Sequence, residues 1–545
     1  MGVLLMGALP SILLAQPELV PAEHPVYTFF QLQRVSGLLP EYIHEMRPFG
    51  RVEIQRLLDS LDVRKHRMGA GARQWLARFE RMFFEPPDRI ESLISTQGIR
   101  LPRGKQTEKY FYYHHSDTWR FAVHTYGALQ VRMAQDSAEI YGIAGVPTVI
   151  FEGNYQNKLG FYSGTFNGVQ VLGSTPVLRR DPVLRPLYYV SRDTIPPGNF
   201  DRTTASVRLA GKHLTAEISH ARLLMGASFD RSIILADAAD YFSHLRFNVL
   251  TDRVQYTFVH ASLGERSRWV PADDPGRRVL LGPERYMAFH RLSVQPSRTL
   301  SLAFNEMVVY ANRSPDLAYL NPVNPFKTAE HASWDKDNTL FALEAVWRPI
   351  PHLEVLGVWL VDDLELKELG KGSYHNKFGW QAGLGWAMRG DRMVWLEYVR
   401  LDPFLYTHRF KLNGSYYNAY QHNGFPLGHP LGPNADQLSV GLQWFGPSYW
   451  TMRLKLDYTR RGENYRDASG ELVNVGGDLL NGDQPPFSEF TKTFLAGKRV
   501  EGMGMETSMT WEPVRGLNFS LYLRFHQWNV EENMYFLRTS LSVQL

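Results

Sequence analysis

The stretch "KFGWQAGLGWAM", residues 377–388, alternates strictly between two kinds of side chain. One face of the stretch carries Phe378, Trp380, Ala382, Leu384, Trp386 and Met388. The opposite face carries Lys377, Gly379, Gln381, Gly383, Gly385 and Ala387. A period of two residues is typical of a β-strand, because successive side chains point to opposite faces of the sheet. The run is also as long as the roughly 9–11 residues that a tilted membrane-spanning strand requires.

The same period recurs from about residue 110 to the end of the chain. It is seen in "TMRLKLDYT" (451–459), in "LNFSLYLRFH" (517–526) and in the terminal "FLRTSLSVQL" (536–545). The number of such segments predicts about 16–18 strands. A chain that ends inside a well-patterned strand is expected where the last strand pairs with the first and closes a barrel.

Two architectures contain many alternating strands, a soluble β-sandwich and a transmembrane β-barrel. Aromatic residues cluster near strand ends in "WRFAVHTY" and "WFGPSYW", as in the aromatic girdles of membrane barrels. The polar face combines charged side chains with many glycines, unlike a surface built only for solubility. The sequence therefore predicts a large antiparallel transmembrane β-barrel of about 16–18 strands over residues 110–545, preceded by a small helical bundle.

Composition excludes several other classes of protein. Hydrophobic residues make up 44% of the 545 residues, but they are interleaved with polar ones, and no run reaches the roughly 18 apolar residues of a membrane-spanning helix. The net charge is +4 without a block of Lys and Arg, which gives no support to nucleic-acid binding. The absence of cysteine excludes disulfides, Cys-ligated metal centres and a thiol nucleophile.

The N-terminal part differs from the rest. Residues 1–15 have the short apolar core of a secretory signal peptide. Within residues 24–100, apolar residues recur at a spacing of three or four, as in "GRVEIQRLLDSLDV" (50–63) and "GARQWLARFERMFF" (71–84), which predicts three short amphipathic helices. The stretch after them, up to about residue 106, is expected to be a linker.

Several segments between strands resemble a known family. These are residues 306–363, residues 396–438, "GASFDRSIILADAADYF" (226–242) and "SGLLPEYIHEMRPFGRVEIQRLL" (36–58). They are similar to the Wzi capsule-assembly family of outer-membrane proteins. The resemblance implies an 18-stranded barrel in a Gram-negative outer membrane, with its helical bundle in the periplasm and a role in binding or organising capsule or exopolysaccharide.

One departure from such barrels concerns their partners. They usually end on an aromatic residue that the outer-membrane insertion machinery reads, whereas this chain ends on Leu545. The expected partners are the insertion machinery, outer-membrane lipid with lipopolysaccharide, and a surface polysaccharide, which can be acidic.

The irregular stretch "HNGFPLGHPLGPNADQL" (422–438) and its neighbours supply candidates for polysaccharide binding. Tyrosine and histidine rings stack on sugars, amides hydrogen-bond hydroxyls, and cations attract acidic groups. The candidates are Tyr406, His408, Tyr416, Tyr420, His422, Asn434, Arg453 and Lys455. Two alternatives stay open: the stretch folds inward and plugs the lumen, or the cations pair with acidic lumen residues.

Paired carboxylates could perform glycoside hydrolysis, which uses two of them on one substrate. Adjacent Asp362 and Asp363 point to opposite faces of a strand, so they cannot both reach one substrate. In "LSLAFNEMVVY" (300–310), Glu306 falls on the apolar face unless a bulge shifts the phase. The hypothesis is that four carboxylates are structural and none is catalytic: Glu306, Asp337, Asp363 and Glu397.

The sequence therefore favours a non-enzymatic outer-membrane barrel that binds surface polysaccharide, with no cofactor. His408, His422 and His429 could ligate a metal, but no recognised metal spacing accompanies them, and no metal site is predicted. The alternative is a porin or transporter for small anionic or sugar solutes, because a barrel of this width can hold an aqueous pore. A membrane-embedded hydrolase is the third hypothesis.

Overall fold

A computed structural model describes residues 17–43, 45–95, 98–135, 139–173, 177, 180–186, 198–265, 268–271, 278–281, 284–409, 411–412, 415–482, 491–530 and 532–544. The predicted signal peptide (1–15) and Leu545 lie outside the described residues. Eighteen described strands close into an antiparallel barrel, which confirms the predicted fold class.

The strands follow one another around the barrel in chain order. The first nine are β1 (Trp119–Gln135), β2 (Glu139–Tyr155), β3 (Leu159–Gly173), β4 (Gly198–Ala210), β5 (Leu214–Ala221), β6 (Phe242–Leu250), β7 (Val254–Leu263), β8 (Arg285–Ser297) and β9 (Leu300–Ala311). The others are β10 (Asn338–Trp347), β11 (Leu353–Asp363), β12 (Lys377–Met388), β13 (Arg392–Leu401), β14 (Ala435–Phe445), β15 (Trp450–Glu463), β16 (Lys498–Val514), β17 (Leu517–Trp528) and β18 (Met534–Gln544).

The last strand closes the barrel. β18 pairs antiparallel with β1 in an unbroken register from Tyr535 opposite Gln135 to Gln544 opposite Tyr126. Pairing of the last strand with the first leaves no free edge, so the backbone groups of both strands are satisfied. The ordered terminal strand predicted from "FLRTSLSVQL" is thus the seam of the barrel.

The alternation of β12 separates an outer from an inner wall. Trp380, Leu384 and Trp386 are exposed on the outer side, whereas Gly383 and Gly385 are buried on the inner side. The apolar set predicted for one face of residues 377–388 therefore lies outside the barrel, and the glycine-rich set faces the lumen.

The two ends of the barrel differ in their connections. At one end, here the turn end, strands are joined by short turns such as residues 156–158 and 389–391. At the other, the loop end, the connections are longer, and the one between β9 and β10 contains α4 (Leu317–Leu320) and α5 (Phe326–Ala332).

The N-terminal helices lie at the turn end. They are α1 (Pro25–Val35), α2 (Arg51–Asp62) and α3 (Ala70–Phe84). The indole N–H of Trp75 in α3 donates to the carbonyl of Gly446 at 3.1 Å, and the Gln33 amide of α1 donates to that of Gly390 at 2.6 Å. Both carbonyls belong to turns of the barrel, so the helices are attached to its rim. None of the helices in the described part of the chain is long and apolar enough to cross a membrane.

Residues 85–115 are more regular than the predicted linker. The strand Ile90–Ser95 pairs in parallel with the strand Glu108–His115. The second of these strands pairs with the start of β1, from Tyr112 opposite Val123 to His115 opposite Arg120. This stretch therefore extends the sheet beyond the seam at the turn end, a pairing between distant segments that a local pattern does not reveal.

Candidate functional site

Two segments fold into the lumen from the loop end. The first inner segment is residues 222–241, and the second is residues 402–409 with 417–434. The Tyr406 hydroxyl donates to the carbonyl of Ile233 at 2.5 Å, and the Tyr420 hydroxyl donates to that of Ile234 at 2.8 Å. The two segments thus form one body inside the barrel.

Strand carboxylates hold the first inner segment by its backbone. Glu344 of β10 accepts from the amide N–H of Ala227 at 2.7 Å, and Glu397 of β13 accepts from that of Phe229 at 2.7 Å. Charge-assisted hydrogen bonds of this kind are about twice as strong as neutral ones. Glu397, predicted as a structural carboxylate, thereby fixes the position of the segment.

The ring of Phe229 fills the space that the glycines of β12 leave. A Cβ at Gly385 would lie 2.5 Å from this ring, and one at Gly383 would lie 2.9 Å from it. Both distances are below ordinary van der Waals contact, so only glycine fits. The glycine-rich face of residues 377–388 therefore leaves the space that the Phe229 ring occupies.

Arg453 and Lys455, two of the predicted binding residues, bind the same segment. Each makes a contact of 2.6 Å with the carboxylate of Asp230. This arrangement matches the alternative in which lumen cations pair with acidic groups. Their assignment to an acidic glycan stays a prediction.

The predicted aromatic residues of the second inner segment are mostly buried. Tyr406 and Tyr420 have no exposed surface, and their hydroxyls are engaged as described above. The Nδ1 atom of His422 accepts from the amide N–H of Gly264 at 2.8 Å, and burial lowers the pKa of His422 to about 3. His408 is also buried. The stretch takes the inward-folded alternative, and these side chains are covered by protein.

Tyr416 and Asn434 complete the predicted set. The side chain of Tyr416 lies outside the described residues. The Asn434 amide donates to the carbonyls of Gly462 at 2.8 Å and Ala496 at 3.1 Å, and its oxygen accepts from the amide N–H of Leu495 at 2.7 Å. Asn434 therefore ties the second inner segment to the loop that follows β15.

The other predicted carboxylates also have protein partners. Asp363 pairs with Lys377 at 2.7 Å, and Asp337 pairs with Arg313 at 2.6 Å. Glu306 lies on the outer face of β9 in phase with its neighbours, without a bulge at that position. The conflict seen in the sequence is resolved in another way, because α5 covers this carboxylate.

A cavity of about 520 Å³ opens at the loop end beside the second inner segment. Its volume is within the range of roughly 300–1,000 Å³ that is usual for ligand sites. The lining includes Tyr465, Asn474, Thr491, Thr493, Lys492 and Lys498. The wall that carries Ala496 is the one that Asn434 holds in place.

The chemistry of this loop-end cavity suits a carbohydrate. The ring of Tyr465 is 42% exposed and can stack on the apolar face of a sugar. Lys492 is paired with Asp402 at 2.7 Å, whereas the half-exposed Lys498 has its nearest acidic partner, Glu463, at 3.9 Å. Sequence reasoning missed these residues, because they lie in loops where no periodicity distinguishes a lining residue from any other.

A larger cavity of about 670 Å³ lies at the turn end between α2 and the neighbouring barrel turns. It is lined by Tyr42 and Phe49 and by three exposed arginines, Arg56, Arg253 and Arg298. This turn-end cavity is on the opposite side of the protein from the loop-end cavity.

The lumen beside β16–β18 and β1 is more polar and partly accessible. Ser508, Tyr522 and Arg538 stand in one register row on its wall, and all three are partly buried. Asp181, in the connection between β3 and β4, pairs with Arg538 at 2.7 Å and with Arg132 at 2.8 Å. Charge pairs thus bridge the loop end of this polar half-lumen.

Comparison with known proteins finds likeness in structure alone. No protein-family model matches the chain, and no curated sequence matches it significantly. The fold is similar to that of Wzi, an Escherichia coli outer-membrane protein involved in group 1 capsule assembly and described as a carbohydrate-binding β-barrel. The TM-score is 0.59 at 12% identity over 96% of this chain and 99% of that one.

OprD, an outer-membrane protein of Pseudomonas aeruginosa, and OpdK of the same organism are also among the similar structures. OprD has a TM-score of 0.43 at 10% identity, covering 78% of this chain and 95% of its own. OpdK, solved with vanillate, has a TM-score of 0.44 at 8% identity, covering 78% and 98%. The likeness to Wzi at 12% identity shows the fold, and this chain has the architecture of an outer-membrane β-barrel.

Proposed function

We propose that this protein is an outer-membrane barrel that binds surface polysaccharide at its loop end and catalyses no reaction on it. In barrels of this type the short turns face the periplasm and the long connections face outward. This orientation puts α1–α3 and the turn-end cavity in the periplasm, and the loop-end cavity at the cell surface. The similar fold of Wzi, a carbohydrate-binding barrel, supports the same role.

The occupation of the lumen by the two inner segments distinguishes binding from transport. The two inner segments occupy the lumen next to β10–β15, where strand carboxylates and the Asp230 pairs hold them, and helices are attached at the turn end. A porin needs a continuous aqueous path, whereas a binding protein gains from a filled lumen that holds its surface loops still. The occupied half of the lumen favours binding.

The loop-end cavity supplies the contacts that a glycan requires. Tyr465 stacks on a sugar ring, the threonine hydroxyls hydrogen-bond sugar hydroxyls, and Lys498 attracts a carboxylate or phosphate on an acidic polymer. We do not propose catalysis, because Asp363, Glu306 and Glu397 each have a protein partner. Purified protein incubated with the polysaccharide is expected to generate no new reducing ends, and their appearance would establish a hydrolase.

A deletion strain tests the proposal. Loss of the gene is expected to release polysaccharide into the medium while solute uptake stays unchanged. The wild-type gene and a Tyr155→Ala control, altered at an exposed tyrosine of the turn end, should restore retention. Tyr465→Ala should restore it poorly. Retained polysaccharide together with impaired uptake in the deletion strain would refute the proposal.

The second candidate is a porin or transporter for small anionic or sugar solutes. The polar half-lumen favours it, because Ser508 and Tyr522 offer hydroxyl groups to a passing solute, beside an Arg538 that is paired with Asp181. Purified protein in a planar bilayer distinguishes the two functions. Stable, solute-selective conductance would establish the porin, and a bilayer that stays silent is expected for the binding protein.

A further inference from the structure

The connection between β9 and β10 folds over the outside of the barrel. On the outer face of β9, Leu302 and Phe304 are exposed, but Glu306, Val308 and Tyr310 further along the same face are buried. The segment that buries them is residues 312–337, which contain α4 and α5 and are called the outer clip here. It covers the outer wall of the barrel instead of its mouth.

The outer clip is firmly attached to that wall. The ring of Phe326 stacks on His290 of β8 with centroids 3.8 Å apart, and the ring of Tyr319 lies 4.9 Å from that of Tyr310. The amide N–H of Lys327 donates to Glu306 at 2.9 Å. An outward-facing carboxylate on a barrel strand is thus protected by a helix end, and the clip has one defined position.

The outward surface of the outer clip carries three large apolar side chains beside polar ones such as His331 and Lys336. Leu317, Val323 and Trp334 are 81%, 79% and 84% exposed. Exposed apolar side chains of this size on a segment packed against the outer wall continue the apolar belt that Phe304 and Leu302 begin. In a membrane barrel that belt contacts lipid.

An apolar groove of about 850 Å³ runs along the outer wall directly below the clip. Its floor is made of small residues that face one another across three strands: Ala345 pairs with Gly357, and Gly357 pairs with Ala382. Its sides are large: Leu302, Phe304, Leu343, Trp359 and Trp380. Leu302 and Phe304 line the groove and lie next to the part of β9 that the clip covers, so the groove begins beside the clip.

We propose that the outer clip lies in the lipid leaflet at the loop end and that the groove beside it holds the acyl chains of a membrane lipid. The lining is almost entirely apolar, so the site recognises acyl chains and not a particular headgroup. The site depends on the barrel lying in a membrane and is independent of polysaccharide binding. A lipid stays in this groove longer than on the rest of the outer wall. Acyl chains inside the groove contact protein on several sides, and these contacts persist when neighbouring lipids exchange.

Gly357 makes the site testable. A Cβ on this residue would meet no atom within 4 Å, so a large side chain can enter the groove without disturbing the fold. Gly357→Phe is expected to fill the groove and to reduce the lipid retained on the purified protein at least tenfold, counted by native mass spectrometry. Gly127→Phe is the matched control: it lies on β1, equally open, and far from the groove. Equal retention by both variants and the wild type would overturn the acyl-chain site.

The absence of cysteine allows a second, independent measurement of depth. Single cysteines at Leu317, Val323 and Trp334 can carry nitroxide labels in vesicles of phosphatidylethanolamine and phosphatidylglycerol, with or without lipopolysaccharide. The labels are expected to be accessible to oxygen and protected from a soluble nickel chelate in both lipid mixtures. A label at Tyr465 in the loop-end cavity should show the opposite behaviour.

Three outcomes would overturn the proposal. Labels on the clip that are as open to the chelate as the label at Tyr465 would place the clip in water. Dipolar broadening between copies would identify the occupant as a second molecule of this protein. Protection that requires lipopolysaccharide would show that a headgroup, and not the acyl chains, is recognised.

Discussion

Removal of the charge of Asp230 is expected to release the first inner segment. The carboxylate has 5% of its side chain exposed and contacts Lys455, which has 6% exposed, and Arg453, which has 31% exposed, each at 2.6 Å. In Asp230→Asn the ammonium of Lys455 would stay buried without its main counter-charge. Removal of one partner of a buried ion pair costs about 3–5 kcal/mol.

The lower end of this range applies, because the exposed part of Arg453 is screened by water. About 3 kcal/mol corresponds to a rise of roughly 100-fold in the population of molecules with the segment detached. Two assays report this change: trypsin cleavage after Arg231, and the frequency of open events in a planar bilayer. Both are expected to rise steeply in the variant.

The control is Asp237→Asn on the same segment. Asp237 pairs with Arg231 at 2.9 Å, but 38% and 25% of the two side chains are exposed. An exposed pair contributes about 0.2–1 kcal/mol, so cleavage and opening should rise less than tenfold. If Asp230→Asn behaves like this control, the inner segment is held by its backbone contacts and the Asp230 pairs contribute little.

Three further changes probe the helices and the lumen. Burial and the neighbouring Asp62 raise the pKa of Glu80 in α3 to about 7, so the folded helix retains a proton that the unfolded chain loses above pH 4.5. The stability of the helix therefore falls as the pH rises from 4.5 to 7. Compared with the wild type, Glu80→Gln should slow amide exchange of α3 at pH 8 but not at pH 4. Trp75→Ala should cost about 3–5 kcal/mol and free α3 from the barrel rim, seen as loss of exchange protection in that helix alone. Gly385→Val should collide with Phe229 and lower the temperature at which the barrel unfolds on a gel, and Phe229→Ala in the same protein should recover part of the loss.

The wall of the barrel could be predicted because its determinants are local. Each residue of 377–388 has its face fixed by the period of the strand, and the structure follows that assignment along β12. The three N-terminal helices have the same kind of local signal. The pairing of Ile90–Ser95 with Glu108–His115 was missed, because it depends on contacts between segments whose own patterns are short.

The candidate site was harder to predict because side chains that suit a sugar also suit a packed interior. Tyr406 and Tyr420 carry the ring and hydroxyl that a glycan site uses, yet their hydroxyls bind carbonyls of the first inner segment. Whether such a loop folds inward depends on what the opposite wall offers. Here the wall offers glycines at 383 and 385 and the carboxylates of Glu344 and Glu397, which are informative only once the strands are closed into a barrel.

Glu306 shows that a conflict in the sequence can itself be informative. A carboxylate in phase with Leu302 and Phe304 cannot face lipid unpaired, because a charge in hydrocarbon costs several kcal/mol. A bulge would have turned it inward, but the register of β9 is continuous there, and a helix end from the outer clip covers it instead. An acidic residue that keeps the lipid-facing phase of a barrel strand therefore predicts a covering segment. In this chain that segment follows the same strand directly, which makes residues 312–337 part of the outer wall.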